Sequence, residues 1–369
     1  MLITNTACHL VMGFLGSGKT SFINACIQAF KAEQKWAILV NEAGQIGIDE
    51  KLFANPTSQN ANDDPNANDS GLAIRQVAGG CICCTSQLPL QIALVRLISE
   101  QKPDRLWIEP TGLAHPKELI EQLSAPHWQT TLALKSAISI VNARHWLEPR
   151  YREHEGYQSH VRFCDVIVVN RFDSLDDSQR QQLTEWLTAN NPTATIIWQQ
   201  GLTFDEATKS ALLSALASPS QVLANRQHYR QVSLASFSQP RPTAIGNLAQ
   251  AEAEPIDEPA LPFRYHDIQN SYQIMGWRLP NEWTVVMVTL MDWLLKLPNW
   301  QRIKAVIHTA PNGVSDWQTL NFTPDSLDIA STEPQVDNRI EVIFLDADIE
   351  LDFEVLDREL MAFFQQNEN

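Results

Sequence analysis

The chain has 369 residues, 44% hydrophobic and 19% charged, which is enough apolar material for a real core and enough length for two domains. Its formal charge of −16 argues against a nucleic-acid partner, which selects a basic face. No run approaches the roughly 18 uninterrupted apolar residues that a membrane-spanning helix needs, so no membrane partner is expected.

The opening stretch "MLITNTACHLVMGF" lacks the basic start of a signal peptide and runs straight into a glycine loop. It reads as a first strand, with a cytoplasmic location as the expectation. Further apolar runs follow at 36–42, 105–110, 136–143, 165–171 and 194–198. Amphipathic segments lie between several of them. In Thr20 to Phe30, the residues Phe22, Ile23, Cys26, Ile27 and Phe30 mark one helical face, and 87–99 is rich in Leu, Ile and Val. Unbroken apolar strands alternating with helices predict an α/β unit, a mostly parallel sheet covered on both faces.

Between the first strand and the first helix stands "GFLGSGKT", Gly13 to Thr20, which satisfies G-x-x-x-x-G-K-[ST] in the strand-to-helix context that the motif requires. Backbone N–H groups around Gly13, Gly16, Ser17 and Gly18 are placed to cradle phosphates, with Ser21 completing the candidate stretch. Lys19 reaches for the β- and γ-phosphates and Thr20 for Mg²⁺, and both are candidate catalytic residues.

The second run leads into "NEAGQIGID" (41–49), where Glu42 is a candidate extra metal ligand. Residues 54–71, "ANPTSQNANDDPNANDSG", hold almost nothing that enters a core and read as a loop. Next comes "GGCICC", which crowds Cys81, Cys83 and Cys84, half of the six cysteines, beside Gly79 and Gly80. A permissive glycine turn would converge the three sulfurs, and Thr85 or Ser86 would cap the next helix. In a reducing compartment such a cluster points to a soft metal, Zn²⁺ with Co²⁺ as a close substitute. Three thiolates leave one tetrahedral position open, which suits an ion in transit. Redox switching and plain packing are the alternatives. The isolated Cys8, Cys26 and Cys164 sit on strand or helix patterns and read as core.

"WIEPTG" (107–112) ends the third run with Glu109, a candidate catalytic acid supporting Mg²⁺ or its water, and with Gly112, whose N–H is placed to sense a γ-phosphate. His115 just beyond it reads as a surface residue at a helix start. "VVNRFD" ends the fifth run with Asn170 and Asp173 in N-x-x-D spacing, where an aspartate accepts from the N1–H and the exocyclic amine of guanine. Residues 236–262 carry five prolines and the acidic run "AEAEPIDEP" and read as a linker. After it, an extended segment (263–279), an apolar helix (283–296), strands at 302–309, 317–323 and 339–345, and a helix near 353–365 predict a small α+β unit.

The glycine loop, "NEAGQIGID", "GGCICCT", "EPTGLAHP" and "VVNRFD", in this order, resemble the CobW-like family of P-loop GTPases, which includes metal-insertion proteins and metallochaperones. The likeness covers most of 7–225, and the tail from "RIKAVIH" through "NRIEVIFLDADI" looks like that family's C-terminal domain. It implies a P-loop GTPase domain over 1–235, the linker, and a C-terminal domain over 263–369. It also implies GTP hydrolysis coupled to carriage of Zn²⁺ or Co²⁺ and delivery to a client metalloprotein, with the oligomeric state left open. No residue stands out in the sequence to polarise the attacking water, so a slow intrinsic rate is expected. On matching positions, Gly13 to Thr20 bind phosphates and Mg²⁺, Glu42 and Asp49 lie in a switch-like segment, the three clustered cysteines carry metal, and Asn170 and Asp173 bind guanine. The chain departs from the family at Ser21, at Ala43 and at Arg171, which stands where lysine is usual, and 236–262 holds no histidine. Two rivals stand beside this reading. One is a nucleotide-responsive metal reservoir or regulator with incidental hydrolysis, and the other a small-molecule kinase that leaves the cysteines without a job.

Overall fold

A computed structural model describes residues 6–30, 35–41, 72–77, 87–222, 260–269, 272–309, 316–345 and 350–365. These fall into two compact units, one built from the described residues up to 222 and the other from 260 onward. The linker expected at 236–262 lies outside the described residues except for its last three, and so does the 54–71 loop.

The first unit is an eight-stranded sheet in which every pairing is parallel. Its strands are β1 (Thr6–Met12), β2 (Trp36–Asn41), β3 (Leu72–Val77), β4 (Arg105–Glu109), β5 (Leu132–Leu134), β6 (Ile138–Asn142), β7 (Val166–Asn170) and β8 (Thr195–Trp198), in the order 3-2-4-1-6-7-8 with β5 also on β1. β2 and β6 are buried at every residue, because helices cover both faces. The first helix, α1 (Lys19–Phe30), presses Phe22, Ile23, Cys26 and Ile27 into the same core as Val11, Ile38, Trp107, Ile140 and Val168. Fully burying an Ile or Phe contributes about 1.5–3 kcal/mol, so this one face anchors the helix. Trp36 and Trp107 stack across the neighbouring β2 and β4, 5.4 Å between centroids.

β1 divides one edge between two partners. Thr6 to Cys8 pair with β5, while Val11 and Met12 pair with β6. Its other edge pairs with β4 from Ala7 to Leu10. The chain visits β2, β3 and β4 on one side before crossing to β6, β7 and β8 on the other. The carboxyl end of β1 therefore opens at the switch point of the sheet, where α/β proteins place ligands. Two strands escaped the sequence reading. β3 is a short edge strand that includes Arg75 and Gln76, and β5 has only three residues.

The second unit is an antiparallel six-stranded sheet. It contains β9 (Phe263–Gln269), β10 (Tyr272–Pro280), β12 (Trp300–Thr309), β13 (Asp316–Thr323), β14 (Ser326–Thr332) and β15 (Asp337–Leu345), in the order 14-13-12-15-10-9. The expected extended segment is a hairpin, with Tyr272 opposite Gln269 and Arg278 opposite Phe263. β14 was missed because it is exposed along most of its length and lacks an alternating apolar pattern. The helix expected from 283 begins at Met287, and the one expected to run to 365 stops at Met361. The cause is shared: Thr284–Val285 and Phe364–Gln365 pair as a two-stranded ribbon, with Val285 and Phe364 buried in the core. Among the described residues no helix is long and apolar enough to cross a membrane.

Candidate functional site

The loop after β1 is tightly constrained. Gly13 has φ 144°, and a Cβ there would lie 2.5 Å from the Ile140 carbonyl of β6, so only glycine fits this close crossing. The Ser17 N–H donates to the Phe14 carbonyl at 3.1 Å and closes the turn. Lys19, the first residue of α1, is 5% exposed and folds back over the loop, its Nζ donating to the carbonyls of Gly13 at 3.0 Å and Phe14 at 3.3 Å. The Ser17 hydroxyl is buried with no hydrogen-bond partner among the described residues. A cation, an open hydroxyl and the positive end of a twelve-residue helix converge on one turn, which is the chemistry of a phosphate seat. Ser21 is exposed on the first turn of the same helix.

The Thr20 hydroxyl donates to Glu109 Oε1 at 2.7 Å. Because β4 lies beside β1, the acid at the end of β4 arrives next to the head of α1. Two hard oxygens side by side at a phosphate loop suit a small divalent ion such as Mg²⁺. Beyond Glu109 the chain crosses the loop itself: a Cβ on Gly112 would meet the Leu15 nitrogen at 2.5 Å. Gly112 thus touches the phosphate loop backbone directly.

Three helices follow β6 in quick succession, α4 (Ala143–Leu147), α5 (Pro149–Arg152) and α6 (Glu155–Arg162). Around Phe14, the second residue of the loop, stand Tyr151 of α5, His154 at the head of α6, and Tyr157 and His160 of α6, at centroid distances of 5.0 to 6.5 Å. His160 Nε2 lies 3.1 Å from the Gly112 carbonyl. Burial, together with the charge of Lys19, lowers the His160 pKa to about 3, so the ring is neutral. This cluster was not singled out from the sequence. The available signal was an aromatic residue at every third position, 151, 154, 157 and 160.

On the other side of the loop stands the end of β7. Asn170 donates from Nδ2 to the Ser17 carbonyl at 2.8 Å, and its Oδ1 is buried with no hydrogen-bond partner among the described residues. Arg171 turns into the left-handed region, φ 52°, and redirects the chain so that Asp173 faces outward. Arg144 holds the Asp173 carboxylate with Nη2 at 3.1 and 3.4 Å, both side chains being substantially exposed. Desolvation pulls the Asp173 pKa upward, but hydrogen bonds from Gln200 and the pairing with Arg144 outweigh it, and the net direction is down. The carboxylate is therefore ionised, as an acceptor for guanine N–H groups must be.

The expected metal ligands Cys81, Cys83, Cys84, Glu42 and Asp49 lie outside the described residues. Cys8, Cys26 and Cys164 are buried, and burial raises all three pKa values, that of Cys8 to about 12. Protonated, buried thiols do not ligate metal. Among the described residues no group of three or more His, Cys, Asp or Glu is placed to hold an ion. His115 is an exposed residue at the N-terminus of α3 (Pro116–Leu123).

Residues 7–198 match the family model described as CobW/HypB/UreG, nucleotide-binding domain. The chain is 30% identical over 343 residues to the zinc chaperone YeiR of Escherichia coli K12, covering 92% of this chain and 93% of that protein. It is 24% identical over 214 residues to the zinc-regulated GTPase metalloprotein activator 1 of Dictyostelium discoideum, covering 51% of this chain and 44% of that protein. Among solved structures, the Zn(II)-bound YjiA GTPase of Escherichia coli aligns over 97% of this chain and 99% of its own, at 18% identity and a TM-score of 0.39.

Proposed function

The chain belongs to the CobW/HypB/UreG family of P-loop GTPases, and from that premise we propose that it carries a zinc ion and releases it to a client metalloprotein under control of GTP hydrolysis. The observation that carries the nucleotide half is the joint between loop and acid: Thr20 and Glu109 meet at 2.7 Å beside the turn that Lys19 covers. Support for the metal half comes from the relatives' names, which specify zinc, and from three cysteines in one C-x-C-C stretch of sequence.

In this reading the loop N–H groups and Lys19 bind the β- and γ-phosphates, and Lys19 exchanges its two carbonyl partners for phosphate oxygens. Thr20 and Glu109 hold Mg²⁺, which when bound neutralises charge on the phosphates. Asp173 accepts from guanine, and Asn170 fixes the base-reading strand end to the loop. Gly112, against the loop backbone, reports whether a γ-phosphate is present. Cys81, Cys83 and Cys84 ligate the cargo ion, Zn²⁺ with Co²⁺ as a substitute, and Glu42 and Asp49 join from the neighbouring switch-like segment. The GTPase domain spans 1–235, the linker 236–262, and the C-terminal domain 263–369.

Nucleotide control makes a quantitative demand, because coupling between two bound ligands is reciprocal. Zinc affinity, measured by competition with a chromophoric chelator, should be about tenfold or more tighter with a non-hydrolysable GTP analogue than with GDP. The Cys81, Cys83, Cys84→Ser variant should lose that zinc binding. Equal zinc affinity in the two nucleotide states would remove the switch and leave a metal reservoir.

A further inference from the structure

We propose that His160 is a positioning residue that anchors the Gly112 carbonyl, so that the Gly112 N–H is held in register with the phosphate loop; this rests on the reading of Gly112 as the γ-phosphate reporter. Three observations converge on it. First, His160 sits on α6, 48 positions after Gly112 in sequence, yet it is 2% exposed and lies 3.1 Å from the Gly112 carbonyl. Second, a carbonyl only accepts, so Nε2 carries the proton and the neutral ring leaves Nδ1 bare. Nδ1 is indeed buried with no hydrogen-bond partner among the described residues. Among the described residues, the one hydrogen bond this ring makes is the contact to Gly112. Third, Gly112 is wedged against Leu15 and Phe14, while the His160 ring packs edge-on to Phe14. Loop, reporter and imidazole form one contact set.

The geometry assigns a division of labour within one residue. The Gly112 carbonyl belongs to the peptide leading into Leu113, and its N–H belongs to the peptide leading out of Thr111. The Thr111 carbonyl accepts from the Ala114 N–H at 3.0 Å, so with the Gly112 carbonyl held by His160 the Gly112 N–H is restrained on both sides and meets an arriving γ-phosphate in a set direction. Without the anchor, the Gly112–Leu113 peptide loses its restraint from His160 while the Thr111 carbonyl keeps its own, and the N–H is directed at the phosphate for a smaller fraction of the time. The anchor matters only when a γ-phosphate is present, so it acts on GTP and not on GDP.

Two variants and one spectrum test this in the full chain. His160→Phe keeps a ring against Phe14 but removes the donor, whereas His160→Gln keeps a neutral N–H donor of similar reach. We expect His160→Phe to lose about tenfold in single-turnover GTP hydrolysis and in affinity for a non-hydrolysable GTP analogue, the order of one buried hydrogen bond. GDP affinity should be unchanged, and His160→Gln should recover most of both losses. A His160→Phe variant that keeps its hydrolysis rate and its preference for the analogue would overturn the assignment. Equal loss of GDP and analogue affinity in both variants would overturn it too, by reducing His160 to packing. Nitrogen NMR of the unmodified protein should show the Nε2–H tautomer, and the Nδ1–H tautomer would sink the proposal by itself. If the unmodified chain bound GDP and the analogue equally while showing the Nε2–H tautomer, it is the reporter reading of Gly112 that fails.

Discussion

The two ends of the nucleotide site are built on opposite principles. At the phosphate end the groups are buried or half-buried and fixed by neighbours: Lys19 by two carbonyls, Gly13 by β6, and Thr20 by Glu109. At the proposed base end the charged groups Arg144 and Asp173 are 39% and 51% exposed and pair directly at the surface. Charges in a low-dielectric, fixed setting interact strongly, and exposed pairs are screened to a fraction of that. On the proposed reading, affinity is expected to come mainly from the phosphates, with the base end adding a modest preference.

The largest effect expected from this contrast is on acid stability. His160 and His9 both lie within the first unit with pKa values near 3, His9 lowered by burial and by Arg105, whose Nη1 donates to its Nε2 at 2.9 Å. An unfolded imidazole titrates near 6.5, so the unfolded chain binds these protons first. Their contribution is complete above about pH 6.5 and is lost as pH falls toward about 3, at up to about 1.4 kcal/mol per pH unit for each ring. Denaturant titrations at pH 7 and pH 5 should differ by a few kcal/mol, and His160→Gln should shrink the difference. A flat profile would show that the phosphate end is wetter than its burial indicates.

Next in size is Lys19→Ala, which removes a buried cation from the phosphate seat. Nucleotide affinity should fall by about a hundredfold or more, the order of two charge-assisted hydrogen bonds. Calorimetry with GDP checks it, and a loss below fivefold would erase the contrast between the two ends. The smallest effects belong to the base end. Asp173→Ala should cut the preference for GTP over ATP by about tenfold, while Arg144→Ala should change it less than about fivefold, as expected for an exposed pair. Competition binding of the two nucleotides measures both, and an Arg144 effect larger than that of Asp173 would reverse the order.

The same contrast explains what was legible in the sequence. Six of the eight parallel strands announce themselves because burial on both faces demands unbroken runs, as in "WAILVN", whereas the edge strand β3 and the three-residue β5 do not. Gly13 to Thr20 and Glu109 are readable because the phosphate seat is local to two strand ends. The Gly112–His160 contact is not readable, because it joins residues 48 positions apart and uses a backbone carbonyl, which carries no side-chain signature. Arg144 escaped for a similar reason: it meets Asp173 only because β6 and β7 are neighbours in the sheet. In the second unit, Thr284 and Val285 look helical in isolation, and only their partners at 364 and 365 make them a strand. Pairings of that kind are tertiary facts.

The bond from Asn170 Nδ2 to the Ser17 carbonyl has a consequence for how this protein can change. It splices the residue proposed to stand next to the base onto the turn proposed to grip the phosphates. A lineage that retunes its choice of base by altering 170 also disturbs the machinery of turnover, so drift in specificity is taxed by a loss of rate. Asp173, which hangs outside that splice, is the position where specificity is free to evolve.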